Sequence, residues 1–145
     1  MLAYKKILVA VDLSEASKKV LERAAELAEQ SKAELNILHV IEFSPFAYAG
    51  EFSATLDPNL EQTLVTGAQE TLAEMCMGFS ISPKHQFIER GSVKMVVNEI
   101  AEQIKSDLIV VGSHSHHGIE LLLGSRANAI LHSAKCDVYV VRMRD

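Results

Sequence analysis

Apolar residues fall in two kinds of run along this chain. Short, largely unbroken runs occupy Ile7–Val11, Leu35–Ile41, Leu108–Val111 and Val138–Val141. Continuous apolar character over four to eight residues marks strands buried on both faces, as in parallel sheets. A fifth run around His85–Glu89 is more polar and reads as an edge strand. Between these runs the spacing changes to three and four. After Ser14, a candidate N-cap, Ala16, Val20, Ala24, Leu27 and Ala28 share one helical face. Asp57-Pro58 has the form of a cap followed by a first-turn proline. It opens a helix with Leu60, Leu64, Ala68, Leu72 and Met75 on one stripe, closing near Gly78. Ser92 caps a third helix carrying Val93, Val96, Val97, Ile100 and Ile104, and Ser125 a short fourth carrying Ala127, Ile130, Leu131 and Ala134.

Strands alternating with helices predict right-handed crossovers, hence an α/β fold with a parallel sheet and helices on both faces. Ligands in such sheets bind beyond the carboxyl ends of the strands, where the strand order reverses. The 145 residues form one domain, 1–145, without repeat or linker. Two long connections, Glu42–Leu56 and Ser113–Leu123, are of the length that usually carries function.

Charge narrows the partners. The net charge of -5 and pI near 5.7 argue against nucleic acid and against an anionic membrane surface. No segment approaches the roughly 18 apolar residues of a membrane span, and Met1–Lys6 lacks the apolar stretch of an export signal. The cytoplasm is therefore the expected compartment. Cys76 and Cys136 are far apart and read as buried, reduced thiols.

Three features have chemical potential. Asp12, at the carboxyl end of the first strand, faces the expected crevice, either to accept from a ribose hydroxyl or base amine, or as a turn carboxylate at a helix start. The stretch Gly112-Ser113-His114-Ser115-His116-His117-Gly118, ending at Gly124-Ser125, joins a strand end to a helix start. Glycine lets backbone approach a phosphate, and N–H groups at a helix start favour an anion; a polar surface loop is the plainer reading. No lysine follows to make a Walker loop, and no dinucleotide fingerprint is present. His114, His116 and His117 lack a fourth strong metal ligand nearby and read as solvated or phosphate-facing. His39, inside an apolar strand, reads as a hydrogen-bonded core or crevice residue, while His85 and His132 read as surface positions. There is no nucleophile elbow and no marked acid–base pair.

The segments Lys6-Ile-Leu-Val-Ala-Val-Asp12-Leu-Ser14, Leu38-His-Val40, Asp107-Leu-Ile-Val-Val-Gly112-Ser-His114, Leu123-Gly-Ser125 and Cys136-Asp-Val-Tyr-Val-Val-Arg142 together resemble the universal stress protein family over essentially the whole chain. The resemblance implies a Rossmann-like open sheet of five parallel strands, order 3-2-1-4-5, of the adenine nucleotide alpha hydrolase type. It implies a stress-response homodimer joined through the terminal strand, Val138–Arg142 here. One branch of the family binds ATP through a G-x-x-G-x9-G-Ser/Thr loop; the founding branch, universal stress protein A, lacks that loop. This chain is intermediate. Gly112 matches the first glycine, Ser115 replaces the second, and eight residues separate Ser115 from Gly124-Ser125. Gly118 and Gly124-Ser125 resemble the ATP branch; Arg126, the shorter spacing and the Arg144-Asp145 ending resemble the founding branch.

By resemblance, Ala10, Val11 and Asp12 would hold ribose and adenine, and Val40 would meet adenine through its backbone. Gly112, Ser115, Gly124 and Ser125 would hold phosphates, and Arg126 would either assist an anion or block the site. The cofactor implied is ATP or a related adenine nucleotide, with no metal beyond accompanying Mg. Three functions are expected in order: a nucleotide-sensing module, a nucleotide-free dimer acting through protein partners, and a slow ATPase, for which no base is signalled.

Overall fold

The computed structural model describes residues 3–42, 58–113 and 125–143. Within them the apolar runs form five strands: β1 (Lys6–Ala10), β2 (Glu34–Ile41), β3 (Gln86–Arg90), β4 (Leu108–Gly112) and β5 (Asp137–Val141). The stretches of helical period form α1 (Ser17–Ser31), α2 (Pro58–Cys76), α3 (Val93–Ile104) and α4 (Ser125–Ser133). All strand pairings are parallel, in the order β3-β2-β1-β4-β5. The more polar run is indeed an edge strand. The chain adds β2 and β3 on one side of β1 and β4 and β5 on the other, so the switch point lies at the carboxyl end of β1, between β1 and β4.

Alternate residues of each strand feed opposite layers, as the period of two requires. Ile7, Val9 and Val11, with Leu108 and Val110, pack on Val20, Leu21 and Ala24 of α1 and Leu72 and Met75 of α2. Leu8, Leu38, Val40, Ile109 and Val111 pack on Val96, Val97 and Ile100 of α3 and Ala127 and Ile130 of α4. This two-sided burial explains why the strands lack polar alternation.

Several local expectations are corrected. Helix α1 begins at Ser17 with Ala16, which is exposed, at the cap position and no side-chain cap. Ser14 sits one turn earlier, where its Oγ accepts from Ser17 N at 3.2 Å. Ser92 does cap α3, accepting from Met95 N. Ser125 opens the described part of α4, whose cap lies at the edge of the described residues, and Leu131 is exposed. His85 is half-buried: Nδ1 donates to Asn36 Oδ1 at 2.9 Å, and Nε2 lies 3.7 Å from Glu34. Fully buried Asn36 supplies the polar partner that the sequence pattern did not reveal. Cys76 is buried and burial pushes its thiol up to about 11, whereas Cys136 is only half-buried; both are free.

Gly112 closes β4 in close contact with the C-terminal tail. A Cβ there would lie 2.2 Å from Met143 Sδ and 3.1 Å from Val20 Cγ2. Met143 is buried, and its N–H donates to Ser113 Oγ at 2.9 Å. Ser113 N donates in turn to Val141 O. Core packing alone therefore requires glycine at this position. Gly112→Ala should cost about 1–3 kcal/mol through overpacking, or about 3–10 °C in melting temperature. Thermal denaturation of Gly112→Ala, Met143→Ala and the double variant checks this. The effects should be non-additive by at least about 0.5 kcal/mol; strict additivity would show that Met143 is not what excludes the side chain.

Candidate functional site

The site is shaped by where the ladders stop. β1 pairs with β2 from Lys6↔Glu34 to Ala10↔Leu38. One further bond, Val11 N to Leu38 O at 3.0 Å, follows. β2 then runs on to Ile41, paired there with β3. Three residues of β2, about 10 Å at strand rise, thus project past the end of β1. On the other side β4 continues to Gly112, paired with β5. The end of β1 leaves a notch between neighbours that run past it, β2 by three residues and β4 by one, at the switch point.

His39 fixes the floor of this notch. Its Nδ1 lies 2.8 Å from Val11 O; because a carbonyl only accepts, Nδ1 carries the hydrogen. Val11 is thereby held at both its N–H and its C=O by β2. Beyond it the chain turns sharply. Leu13 adopts φ 65°, a left-handed conformation unusual for a leucine, and still packs into the α1 layer. Asp12 stabilises the turn. Its Oδ1 accepts from Ser14 N at 3.0 Å and from Ser14 Oγ at 2.5 Å. Ser17, buried against the turn, donates its Oγ to Ser14 O at 2.7 Å. The carboxylate is exposed at the mouth of the notch. The turn role and the crevice position expected of Asp12 coexist.

Val40 is buried on the α3/α4 side of the overhanging part of β2, and Ala10 packs on that same side. Gly112 and Ser113 form the β4 rim. Ser125 and Arg126 are exposed at the start of α4. Ser115 and Gly124, with the histidines at 114, 116 and 117 and Gly118, lie outside the described residues.

One partner went unnoticed in the sequence. Glu42, immediately after β2, accepts from Arg126: Nε at 2.8 Å and Nη2 at 2.5 Å, both to Oε1. The pair joins the residue that follows β2 to the first turn of α4. Its side chains are 53% and 37% exposed for Arg126 and Glu42, so in water it contributes at most about 1 kcal/mol. The only sequence hint was Glu42 at the head of a long connection.

Among the described residues no group of three or more His, Cys, Asp or Glu is placed to hold a metal ion. A separate cavity of about 140 Å³ lies between α3 and α4, near Ser106, Ser133 and Cys136. Those residues precede β4 or β5, so it opens at the other end of the sheet. Burial, then the nearby Asp137 and Asp107 charges, push the Cys136 thiol up, which disfavours a thiolate nucleophile there.

This fold has counterparts among known proteins. A model of the universal stress protein family matches residues 3–142. The chain belongs to the universal stress protein family. It is 51% identical over 142 residues to universal stress protein A homolog 1 of Coxiella burnetii, covering 98% of this chain and 99% of the relative. Among solved structures, hypothetical protein MJ0577 superposes with a TM-score of 0.79 at 26% identity, covering 99% of each chain. A universal stress protein solved in complex with cAMP superposes with a TM-score of 0.63 at 24% identity, covering 97% of this chain and 98% of that one. The order 3-2-1-4-5 expected for the family is the order found. Among the described residues no helix of this universal stress protein is long and apolar enough to cross a membrane.

Replacing His39 by leucine fills similar space but leaves the Val11 carbonyl without its side-chain donor. His39→Leu is expected to cost about 1–3 kcal/mol in urea denaturation. An unchanged midpoint would show that the Val11 contact does not hold the floor of the notch.

Proposed function

We propose that this universal stress protein is a cytoplasmic, homodimeric stress-response module that senses an adenine nucleotide, ATP or AMP, in the notch beyond β1. The observation that carries the reading is the pairing of chemistries around one strand end. Asp12 offers a carboxylate at the mouth, the β2 overhang has left its β1 ladder, and Arg126 is carried to the same rim. Carboxylate, strand edge and guanidinium suit ribose, base and phosphate respectively. Ala10, Val11, Val40, Gly112, Ser115, Gly124 and Ser125 complete the proposed contacts, and any Mg would arrive with the nucleotide. The cAMP complex of a neighbour at 24% identity speaks for the fold; for this chain the reading rests on its own residues.

Ligand binding to the folded state raises its stability by mass action. ATP at about a hundred times its Kd adds about 2.7 kcal/mol, or about 8–10 °C in melting temperature. A rise at millimolar ATP, reduced in Asp12→Ala, is the expected outcome of differential scanning fluorimetry. No rise at millimolar ATP sinks this reading. The second reading is then left: a nucleotide-free dimer acting through protein partners. It is favoured by the carboxylate of Glu42 already occupying Arg126, and by the 51% identity to a universal stress protein A homolog.

The proposed dimer joins through Val138–Arg142. β5 is an edge strand with Val138, Tyr139 and Val140 only half-buried, and an apolar edge of that kind favours pairing with another chain. Light scattering is expected to give twice the 15.9 kDa of one chain. A mass equal to that of one chain overturns the dimer.

A further inference from the structure

Glu42 and Arg126 come from two different elements at the rim of the notch, the residue after β2 and the first turn of α4. Glu42 follows Ile41, and by strand parity it belongs with Asn36, Leu38 and Val40; Leu38 and Val40 pack on the α3/α4 layer. Arg126 is the second residue of α4, whose Ala127 and Ile130 pack on that layer too. Two guanidinium nitrogens converge on one carboxylate oxygen. The Nε and Nη2 edge of the guanidinium is therefore engaged by an anion of this chain, and a phosphate binding through that edge must displace it.

Three roles are open to such a pair: a fixed cover, a brace with no bearing on ligand, or a contact that a ligand exchanges for its own. The exposure of both side chains argues against a fixed cover, because an exposed pair biases an equilibrium by about fivefold or less. A phosphate carries more charge than a carboxylate and offers more oxygens to the same nitrogens. It would win Arg126 against Glu42, whereas a neutral nucleoside gains nothing from the attempt. The position argues against a mere brace, since both residues stand at the rim of the notch while the sheet is held by its own ladders.

We infer that the Glu42–Arg126 ion pair is an exchangeable latch at the rim of the notch, in which the Glu42 carboxylate holds the guanidinium until a ligand phosphate replaces it. This deepens the nucleotide reading and rests on it for the identity of the ligand. The latch makes Glu42 a tuning residue: it weakens by a small factor every ligand that takes Arg126, and leaves a nucleoside unaffected.

The test is calorimetric titration of the full chain with ATP, inorganic triphosphate and adenosine, using wild type, Glu42→Gln, Glu42→Asp, Arg126→Gln and the Glu42→Gln/Arg126→Gln pair. Glu42→Gln should tighten ATP and triphosphate about two- to fivefold. Adenosine should show no such gain. Arg126→Gln should weaken ATP by about tenfold or more, and Glu42→Gln should then have no further effect. Glu42→Asp, which keeps the charge, controls for any loss of folding in the amide variant. If wild type binds ATP and Glu42→Gln binds it no more tightly, the latch is overturned while the nucleotide reading stands. If wild type binds nothing but Glu42→Gln gains triphosphate, the pair is a fixed cover, and both the exchangeable latch and nucleotide sensing by the native chain fall. If no variant binds any of the three, both are overturned.

Discussion

The structure of the site depends on where β1 lets go of β2. The ladder ends at Ala10↔Leu38, and the next residue is held by Val11 N to Leu38 O and by His39 Nδ1 to Val11 O. These two bonds satisfy the last polar groups of β1 without extending it. A buried backbone carbonyl without a partner would cost about 1–3 kcal/mol, so the side chain of His39 permits β1 to end early. The left-handed Leu13 and the Asp12–Ser14 turn follow at once. A sixth β1 residue in the ladder would carry the chain into the space where the notch lies.

At the other rim, the start of the long Ser113–Leu123 connection is fixed by the core rather than by any ligand. Gly112 is small because Met143 and Val20 fill the space its side chain would need. Ser113 then ties β4 to the tail through Val141 O and Met143 N. The glycine that matches the first position of an ATP-type loop thus has a complete structural reason of its own. Its presence carries no weight in deciding which branch of the family this chain follows. That decision rests on Ser115, Gly124 and Arg126, and of these only Arg126 lies among the described residues.

The strands were legible because burial on both faces forces unbroken apolar runs, and Ile7–Val11 and Leu108–Val111 could hardly be anything else. The stripe of α2 and the Ser92 cap were legible for the same reason: one interaction dominates each. Misreadings arose where two local solutions compete. Ser14 has the chemistry of a cap, but its Oγ donates to Asp12 while it accepts from Ser17, so the helix starts a turn later. Leu131 fits the helical period, yet only Ala127 and Ile130 of α4 reach full burial. His85 and Glu42 were misread or missed because their partners, Asn36 and Arg126, lie 49 and 84 residues away. Sequence spacing carries no trace of such pairs.

Asp12 shows how a structural and a ligand role can share one side chain. A carboxylate has about four acceptor positions, and the Ser14 turn draws on Oδ1. Under the proposed reading, serving the turn orients the group that would face a ribose, because a carboxylate already fixed loses less freedom on binding. Arg126 presents the opposite case, since its Nε and Nη2 edge is given to Glu42 and a phosphate seeking that edge must displace the carboxylate. Under the proposed reading, one part of the notch is organised in favour of a ligand and another is held by an anion of the chain itself. The balance between Asp12 and the Glu42–Arg126 pair, rather than the mere presence of glycines in the loop, would then set the uptake of a nucleotide.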